Sequence, residues 1–407
     1  MKLLVISQYY WPEPFNFAEM CEGLVSFGHD VTVLAGVPNY PEGEIYPEYR
    51  TNPLRKEEHN GVHVVRIKQV PRHTGPIYRF LNYSSFAANA KKVALGLGPD
   101  FDAVIVLQIS PVHMAKAAAA YSQHYGAPLL HYVIDIWPEC LLTGGIKKGS
   151  AVYNHYKRLS ARLYGSADVL AVSSPQFKSY LSDELAITNI RTVDLPQYAE
   201  DIFEGEPDCV PEGYDSDKFN VTFAGNIGAA QSVQTLVRAA AIIRENEHIA
   251  FHIVGAGSEL DACKQMAQEE DLLNVTFHGR RPLSEMPGYY AASSAMIATF
   301  ADSPVLGFTL PRKVQSYMAA GRPVIAAAPG ETARVINEAC CGVVCGAEDP
   351  YGLANACGEL AAMTQEDLAA MGAAGRAYYR EKFTKEQFLR TLNSELERLK
   401  GTKHREQ

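Results

Sequence analysis

A chain of 407 residues, 47% hydrophobic and 20% charged, is long enough for two folded domains and too apolar for a disordered one. Its formal charge of −9 argues against a nucleic-acid partner, which a basic face would have to serve. The sequence has no apolar run of about 18 residues and so offers no spanning helix. Eight cysteines contain no CxxC pair, and Cys340, Cys341 and Cys345 have no histidines at ligand spacing, so neither a zinc site nor a redox centre is expected.

The N terminus, KLLVISQYY, turns polar too early for a secretory signal and predicts a buried strand over residues 3–7. A helix over 17–27 follows, stopped by Gly28. Strands are then expected at 31–35, 62–67, 103–107, 129–134 and 169–172. Helices are expected at 80–95, 112–125 and 152–164, with another opening at 175. Short β-branched runs alternating with helical stretches predict a parallel sheet covered on both faces. Residues 203–220 lose this periodicity and are dominated by Glu, Asp, Gly and Pro, the composition of a connection between domains. The alternation then resumes, with strands at 220–224, 250–254, 275–278, 295–299 and 324–327. Helices are expected at 233–244, 259–269, 285–292, 313–320 and 334–339, and a helix-rich tail at 353–360, 368–381 and 385–399. The fold class is therefore α/β, with two Rossmann-like doubly wound domains at 1–202 and 219–380, a linker at 203–218 and a closing segment at 381–407.

Charge is uneven along the chain. Residues 1–200 hold 18 Lys/Arg and 18 Asp/Glu, so the second half carries the whole deficit. Residues 50–99 hold nine cations against Glu57 and Glu58, a surplus suited to phosphate or an anionic membrane surface, or to a solvated face.

The loop after the first strand, Ser7 to Pro14, lacks the GxGxxG of a dinucleotide site and is instead aromatic and Pro-rich. In the second half, Gly225–Gly228 and Gly255–Ser258 each join a strand to a helix, where glycine lets backbone donors approach a phosphate or sugar. Pro311, Arg312 and Lys313 open a helix. Two cations are unfavourable at that end of a helix dipole unless an anion lies there or a carboxylate answers them.

On these segments, with VPNYPEG, VIDIWPE, VTFAGNIGAAQ, HIVGAGSE and LPRKVQSYMAAGRPVIAA, the chain resembles the retaining glycosyltransferases of family four. It is more closely similar to the bacterial lipopolysaccharide and capsule glycosyltransferases, which include colanic acid and N-acetylfucosamine transferases. The likeness runs from Leu3 to about residue 388. It implies a GT-B fold, two domains facing across a cleft, with the acceptor on the N-terminal domain, the nucleotide sugar on the C-terminal one, and the final helix crossing back to the first. It assigns catalysis to Asp135, Glu13 and Lys313. Donor contacts fall to Asn16, Gly225, Asn226, Gly228, Gly255, Gly257, Gly279, Arg280, Arg312, Lys313 and Gln315, and acceptor contacts to Asn39, Tyr40 and Glu139. No metal or cofactor is implied; the donor is a UDP-sugar or GDP-sugar, and the acceptor an undecaprenyl-type lipid-linked sugar or an oligosaccharide. Transfer with retention would then take place in the cytoplasm, at the inner face of the membrane, with peripheral attachment to anionic lipid. No nucleic acid is involved.

Departures from the family pattern stand beside this. Its usual glutamate pair corresponds to Phe308 and Ser316, its lysine after the first donor-domain strand to Gln231, and a frequent arginine to Asn226. Two other readings therefore remain: a nucleotide-sugar epimerase of the same fold, or a non-catalytic sugar-binding subunit.

Overall fold

The computed structural model describes residues 1–51, 55–205, 207 and 211–403. The chain divides into two compact units, Met1–Leu195 with Leu389–Gln407, and Pro196–Phe388.

In the first unit the strands are β1 (Lys2–Ser7), β2 (Asp30–Gly36), β3 (Lys56–His59), β4 (Val62–Ile67), β5 (Ala103–Gln108), β6 (Leu129–Val133), β7 (Val169–Val172) and β8 (Arg191–Asp194). They form one sheet in the order β3-β4-β2-β1-β5-β6-β7-β8, parallel throughout except that β3 runs antiparallel to β4. The helices are α1 (Phe17–Ser26), α2 (Pro76–Gly96), α3 (Ala115–Tyr125), α4 (Ala151–Tyr164) and α5 (Gln176–Asp183). The central strands β1, β5 and β6 are buried along nearly their whole length, as a sheet covered on both faces requires. Helix starts follow local chemistry: Pro76 opens α2, and the Ser150 side chain caps α4 by accepting from Tyr153 N.

In the second unit β9 (Phe219–Ala224), β10 (Ile249–Val254), β11 (Val275–Gly279), β12 (Ala295–Thr299), β13 (Val324–Ala327) and β14 (Gly342–Cys345) are all parallel, in the order β11-β10-β9-β12-β13-β14. One layer of buried side chains, including Val221, Phe223, Phe251 and Ile253, packs beneath α6 (Val233–Ile242), with α7 (Leu260–Glu269) beside it. The other face carries α8 (Met286–Ala292), the single turn α9 (Pro304–Gly307), α10 (Arg312–Ala319) and α11 (Gly330–Glu338). The helices α12 (Pro350–Ala361), α13 (Gln365–Lys382) and α14 (Lys385–Lys403) complete the chain. Beyond residue 388, α14 belongs to the first unit: Asn393 Oδ1 meets His29 Nε2 at 2.6 Å, and Glu395 takes both Nε and Nη2 of Arg191 at 2.8 and 2.9 Å.

Both sheets reverse strand order, between β1 and β5 and between β9 and β12. In doubly wound sheets the crevice outside the carboxyl ends at such a reversal is where ligands bind.

Three strands escape the sequence pattern. The edge strand β3 reads KEEH and β8 reads RTVD, both lacking the apolar run of a buried strand, while the glycine opening β14 mimics a turn. The expected linker also differs in part. Glu206, Asp208, Cys209 and Val210 lie outside the described residues, but Tyr214 is laid on the second unit, its ring stacked 3.8 Å from that of His252 and its hydroxyl 2.9 Å from Thr222 Oγ1.

Candidate active site

In the second unit three strand ends meet backbone to backbone. Gly225 N donates to Val254 O at 2.9 Å, Gly255 N to Gly279 O at 2.8 Å, and Ile227 N to Ala256 O at 2.9 Å. A Cβ at Gly255 would stand 1.8 Å from Gly225 O, and one at Gly257 would stand 2.2 Å from Ile227 O. These two glycines, expected among the donor contacts, are thus demanded by turn-on-turn packing, with φ of +151° at Gly255 adding a second reason. Gly225 differs. Its missing Cβ makes room for Lys313, whose Nζ lies 2.9 Å from where that atom would be.

Lys313 is the second residue of α10, and its Nζ lies 4.0 Å from the centroid of the Phe223 ring on β9. That nitrogen is sealed from water and has no hydrogen-bond partner among the described residues. Burial lowers its pKa from 10.5 to about 7. A sealed amine without a counter-charge among the described residues, at a helix start and beside the strand reversal, is a place built to receive an anion.

Arg312 does not share that state. Its Nη2 sits 3.1 Å from Glu200, so the carboxylate answers this cation and the diphosphate contact expected of it is already occupied by protein. Arg312→Gln is accordingly expected to change UDP affinity by less than about threefold in calorimetry, since a partly exposed pair contributes little. Gln315 is likewise engaged by protein through one atom: it is buried, and its Nε2 donates to the Gln197 carbonyl. Asn226 donates to Gln231 Oε1 at 3.2 Å, which ties together two positions where the family pattern departs. Gly228 lies against that Asn226 amide, Gly279 ends β11 at φ +69°, and Arg280 beyond it is exposed.

In the first unit the loops after β1, β2, β5 and β6 carry the predicted residues. Glu13 is buried, and it staples two loops: Oε1 accepts from Asn39 N at 2.9 Å and Tyr40 N at 2.8 Å, and Oε2 from Tyr10 N at 3.2 Å. Burial pushes its carboxyl up to about 7 against the pull of these three donors. Asn39 is fully buried, its Oδ1 accepting from Arg72 N, while the Tyr40 ring packs against Tyr9, Phe15 and the Arg72 guanidinium. Glu13 and Asn39 therefore shape the loop that presents Tyr40. Asn16 stands at the start of α1 without capping it through its side chain.

Asp135, after β6, is half-buried. Its Oδ2 accepts from both Ser110 N and Ser110 Oγ at 2.8 Å, and Trp137 Nε1 donates to the same Oγ at 3.1 Å. Its Oδ1 makes no hydrogen bond among the described residues. Burial raises the carboxyl, and the two Ser110 bonds pull it back. Ser110 and Trp137 are functional candidates the sequence reading missed; a serine opening the loop after β5 was the available signal. Glu139, expected at the acceptor, turns inward: its Oε1 accepts from Tyr153 Oη at 2.6 Å and Tyr180 Oη at 2.7 Å, and it is 3% exposed. Glu139→Gln is expected to lower stability by about 1–2 kcal/mol in urea unfolding, by weakening two buried charge-assisted bonds, and to leave nucleotide binding unchanged.

Comparison with known proteins gives this arrangement its class. Residues 16–196 match the family model of the glycosyl transferase 4-like domain, and residues 218–363 that of glycosyl transferases group 1. Sucrose-phosphate synthase from Thermosynechococcus elongatus superposes with TM-score 0.76 at 18% identity, covering 98% of this chain and 99% of that one. Anabaena Alr3699/HepE, solved with UDP and glucose, superposes with TM-score 0.71 at 16% identity, covering 98% and 99%. The chain is a glycosyltransferase of the GT-B type, built from these two glycosyltransferase domains. Among curated proteins it is 28% identical to WbjE of Pseudomonas aeruginosa, named as a probable glycosyltransferase, over 63% of this chain and 67% of that protein. It is 23% identical to WcaI of Escherichia coli (strain K12), whose name places it among colanic acid biosynthesis glycosyl transferases, over 70% and 74%.

Proposed function

We propose that this glycosyltransferase moves a sugar from a nucleotide diphosphate sugar, UDP-linked, to a lipid-linked or saccharide acceptor in the assembly of a cell-surface polysaccharide, with retention at the anomeric carbon. The observation that carries the donor half is the unpartnered Lys313 amine in the Gly225 turn. A departing diphosphate is the anion whose charge grows along such a reaction, and a pre-placed, desolvated cation at a helix start stabilises it as it leaves. Neutralisation is assigned to these protein groups, without a metal cofactor. UDP is favoured over GDP because HepE is a structural relative solved with UDP.

The acceptor side is assigned to Tyr40 and Asp135. Retention implies attack from the face the diphosphate leaves, with the departing phosphate oxygen taking the acceptor proton. Asp135 Oδ1 then accepts a hydrogen bond from a sugar hydroxyl and holds it for reaction. A polysaccharide role is favoured by the name of WcaI, and a lipid-linked acceptor would place the enzyme at the cytoplasmic face of the membrane.

The test is a thermal-shift screen of nucleoside diphosphates and their sugar conjugates, followed by turnover with the stabilising donor. Release of nucleoside diphosphate that depends on an acceptor supports transfer. Interconversion of the sugar without an acceptor would make the chain an epimerase, and tight binding without turnover across a broad acceptor panel would make it a binding subunit.

A further inference from the structure

The start of α2 reverses the usual relation between inside and outside. Residues 74–81 are all exposed, and Ile77, Tyr78, Phe80 and Leu81 stand 72%, 46%, 56% and 42% open. They are four of the eleven exposed large hydrophobics among the described residues, gathered within five positions. The same turns face inward with amides. Asn82 is fully buried, accepting from Gln8 Nε2 at 2.7 Å and donating to Val70 O at 2.6 Å, while Gln8 Nε2 also reaches Gln69 Oε1 at 2.9 Å. Ser85 Oγ accepts from Val70 N at 2.9 Å. The helix start is thus held firmly by hydrogen bonds behind, with hydrocarbon presented in front. A surface of that kind is stable where its surroundings are themselves apolar.

Charge narrows what those surroundings are. Residues 60–99 contain six Lys/Arg and no Asp or Glu. Arg66 is buried against Glu57, but Lys68, Arg79, Lys91 and Lys92 are exposed. At 100° per residue, Lys91 projects about 40° and Lys92 about 60° from Ile77, with Lys91 about 21 Å further along the helix. Beside the helix start Glu44 is paired with His73 Nδ1 at 2.7 Å. Apolar side chains, a tyrosine and three cations, with no Asp or Glu on the same helix, match the boundary layer of an anionic bilayer.

We propose that α2 docks this protein on an anionic phospholipid bilayer, with Ile77, Phe80 and Leu81 entering the acyl boundary and Arg79, Lys91 and Lys92 meeting phosphates. The lipid-linked acceptor of the proposed function gives this docking its purpose, but the inference needs only α2. Asn82, through Gln8, joins the docked helix to the loop after β1, so a bilayer held there lies close to the Glu13–Tyr40 loops of the same unit.

The test is co-flotation of the full chain with vesicles of phosphatidylglycerol and phosphatidylcholine, against phosphatidylcholine alone, with no nucleotide or acceptor. The wild type is expected to float with the anionic vesicles and to be released in part as salt rises. Ile77→Ser with Phe80→Ser is expected to weaken binding at least tenfold, and Lys91→Glu with Lys92→Glu to remove the preference for anionic lipid. UDP binding should stay unchanged in both, which verifies folding and keeps the donor reading separate. Wild-type protein that ignores anionic vesicles, or serine variants that bind like wild type, would overturn the proposal. So would serine variants that change only the oligomeric state in light scattering, because a second copy of the chain would then be the occupant.

Discussion

Lys313→Ala is expected to weaken UDP binding about 30- to 100-fold while leaving the fold intact. The magnitude follows from one charge-assisted contact to a diphosphate, of the order of 2–3 kcal/mol, made where water does not compete. The amine has no hydrogen-bond partner among the described residues in the unliganded protein, so its removal strands no internal acceptor. Its proton supplies a second signature. With a pKa near 7, the amine is mostly neutral at pH 8, and a bound diphosphate recharges it. UDP binding at pH 8 should therefore take up nearly one proton, seen as a dependence of calorimetric heat on the buffer's ionisation enthalpy. Lys313→Ala should abolish that dependence. An unchanged affinity, or the same proton uptake in the variant, would remove Lys313 from the donor site.

The same residue sets a pH dependence of stability with a definite sign. The folded-state pKa, about 7, lies below the 10.5 of the exposed side chain. Between those values the unfolded chain binds the proton and the folded chain does not, so the contribution of Lys313 to stability rises with pH across that window. Below pH 7 the charged amine is fully penalised by burial. Lys313→Met should then stabilise the unliganded protein by a few kcal/mol at neutral pH, with the gain shrinking as pH approaches 10.5. A residue that costs stability in the free protein and contributes affinity in the bound one is the trade-off expected of a binding site.

Arg312 and Lys313 also show where sequence reasoning ends. Adjacent in the chain, they read as equivalent cations at one helix start. What separates them is Glu200, distant in sequence, and the empty side of Gly225, and neither is visible in a local pattern. Gly255 and Gly257 carried the signal of a ligand turn, yet the backbone they admit is that of Gly225 and Ile227. The acidic residues divide similarly. Glu13 and Glu139 have the composition of active-site carboxylates, but three amide N–H groups hold one and two phenols hold the other. The doubly wound sheets were legible because buried parallel strands must be apolar along their length. The start of α2 was not, because Ile77–Leu81 is apolar on the side that periodicity assigns to the core but the structure leaves open. The helix was accordingly expected from residue 80 and begins at Pro76.

Asp135→Asn is expected to lower turnover by about 100- to 1,000-fold with UDP affinity unchanged, the range associated with a positioned acid–base or hydrogen-bonding group. The substitution keeps the shape, and an Asn oxygen can still accept from Ser110 N and Oγ, so the loop after β6 should hold its place. What is lost is the charge on the oxygen that Ser110 does not engage. Burial raises this carboxyl, so activity of the wild type should fall on the acid side at a pH above the ordinary aspartate range, and the variant's residual activity should lack that limb. Ser110 provides the sharper control. Its hydroxyl favours the ionised form, so Ser110→Ala should move the acid limb to higher pH and cost much less at alkaline pH, where Asp135 is charged in either case. Trp137 fixes the Ser110 hydroxyl through its indole N–H, so Trp137→Phe should shift the limb in the same direction by less. If Asp135→Asn turns over like wild type, the carboxylate has no part in transfer. If Asp135→Asn fails but Ser110→Ala leaves the acid limb in place, Asp135 acts without the serine that holds it.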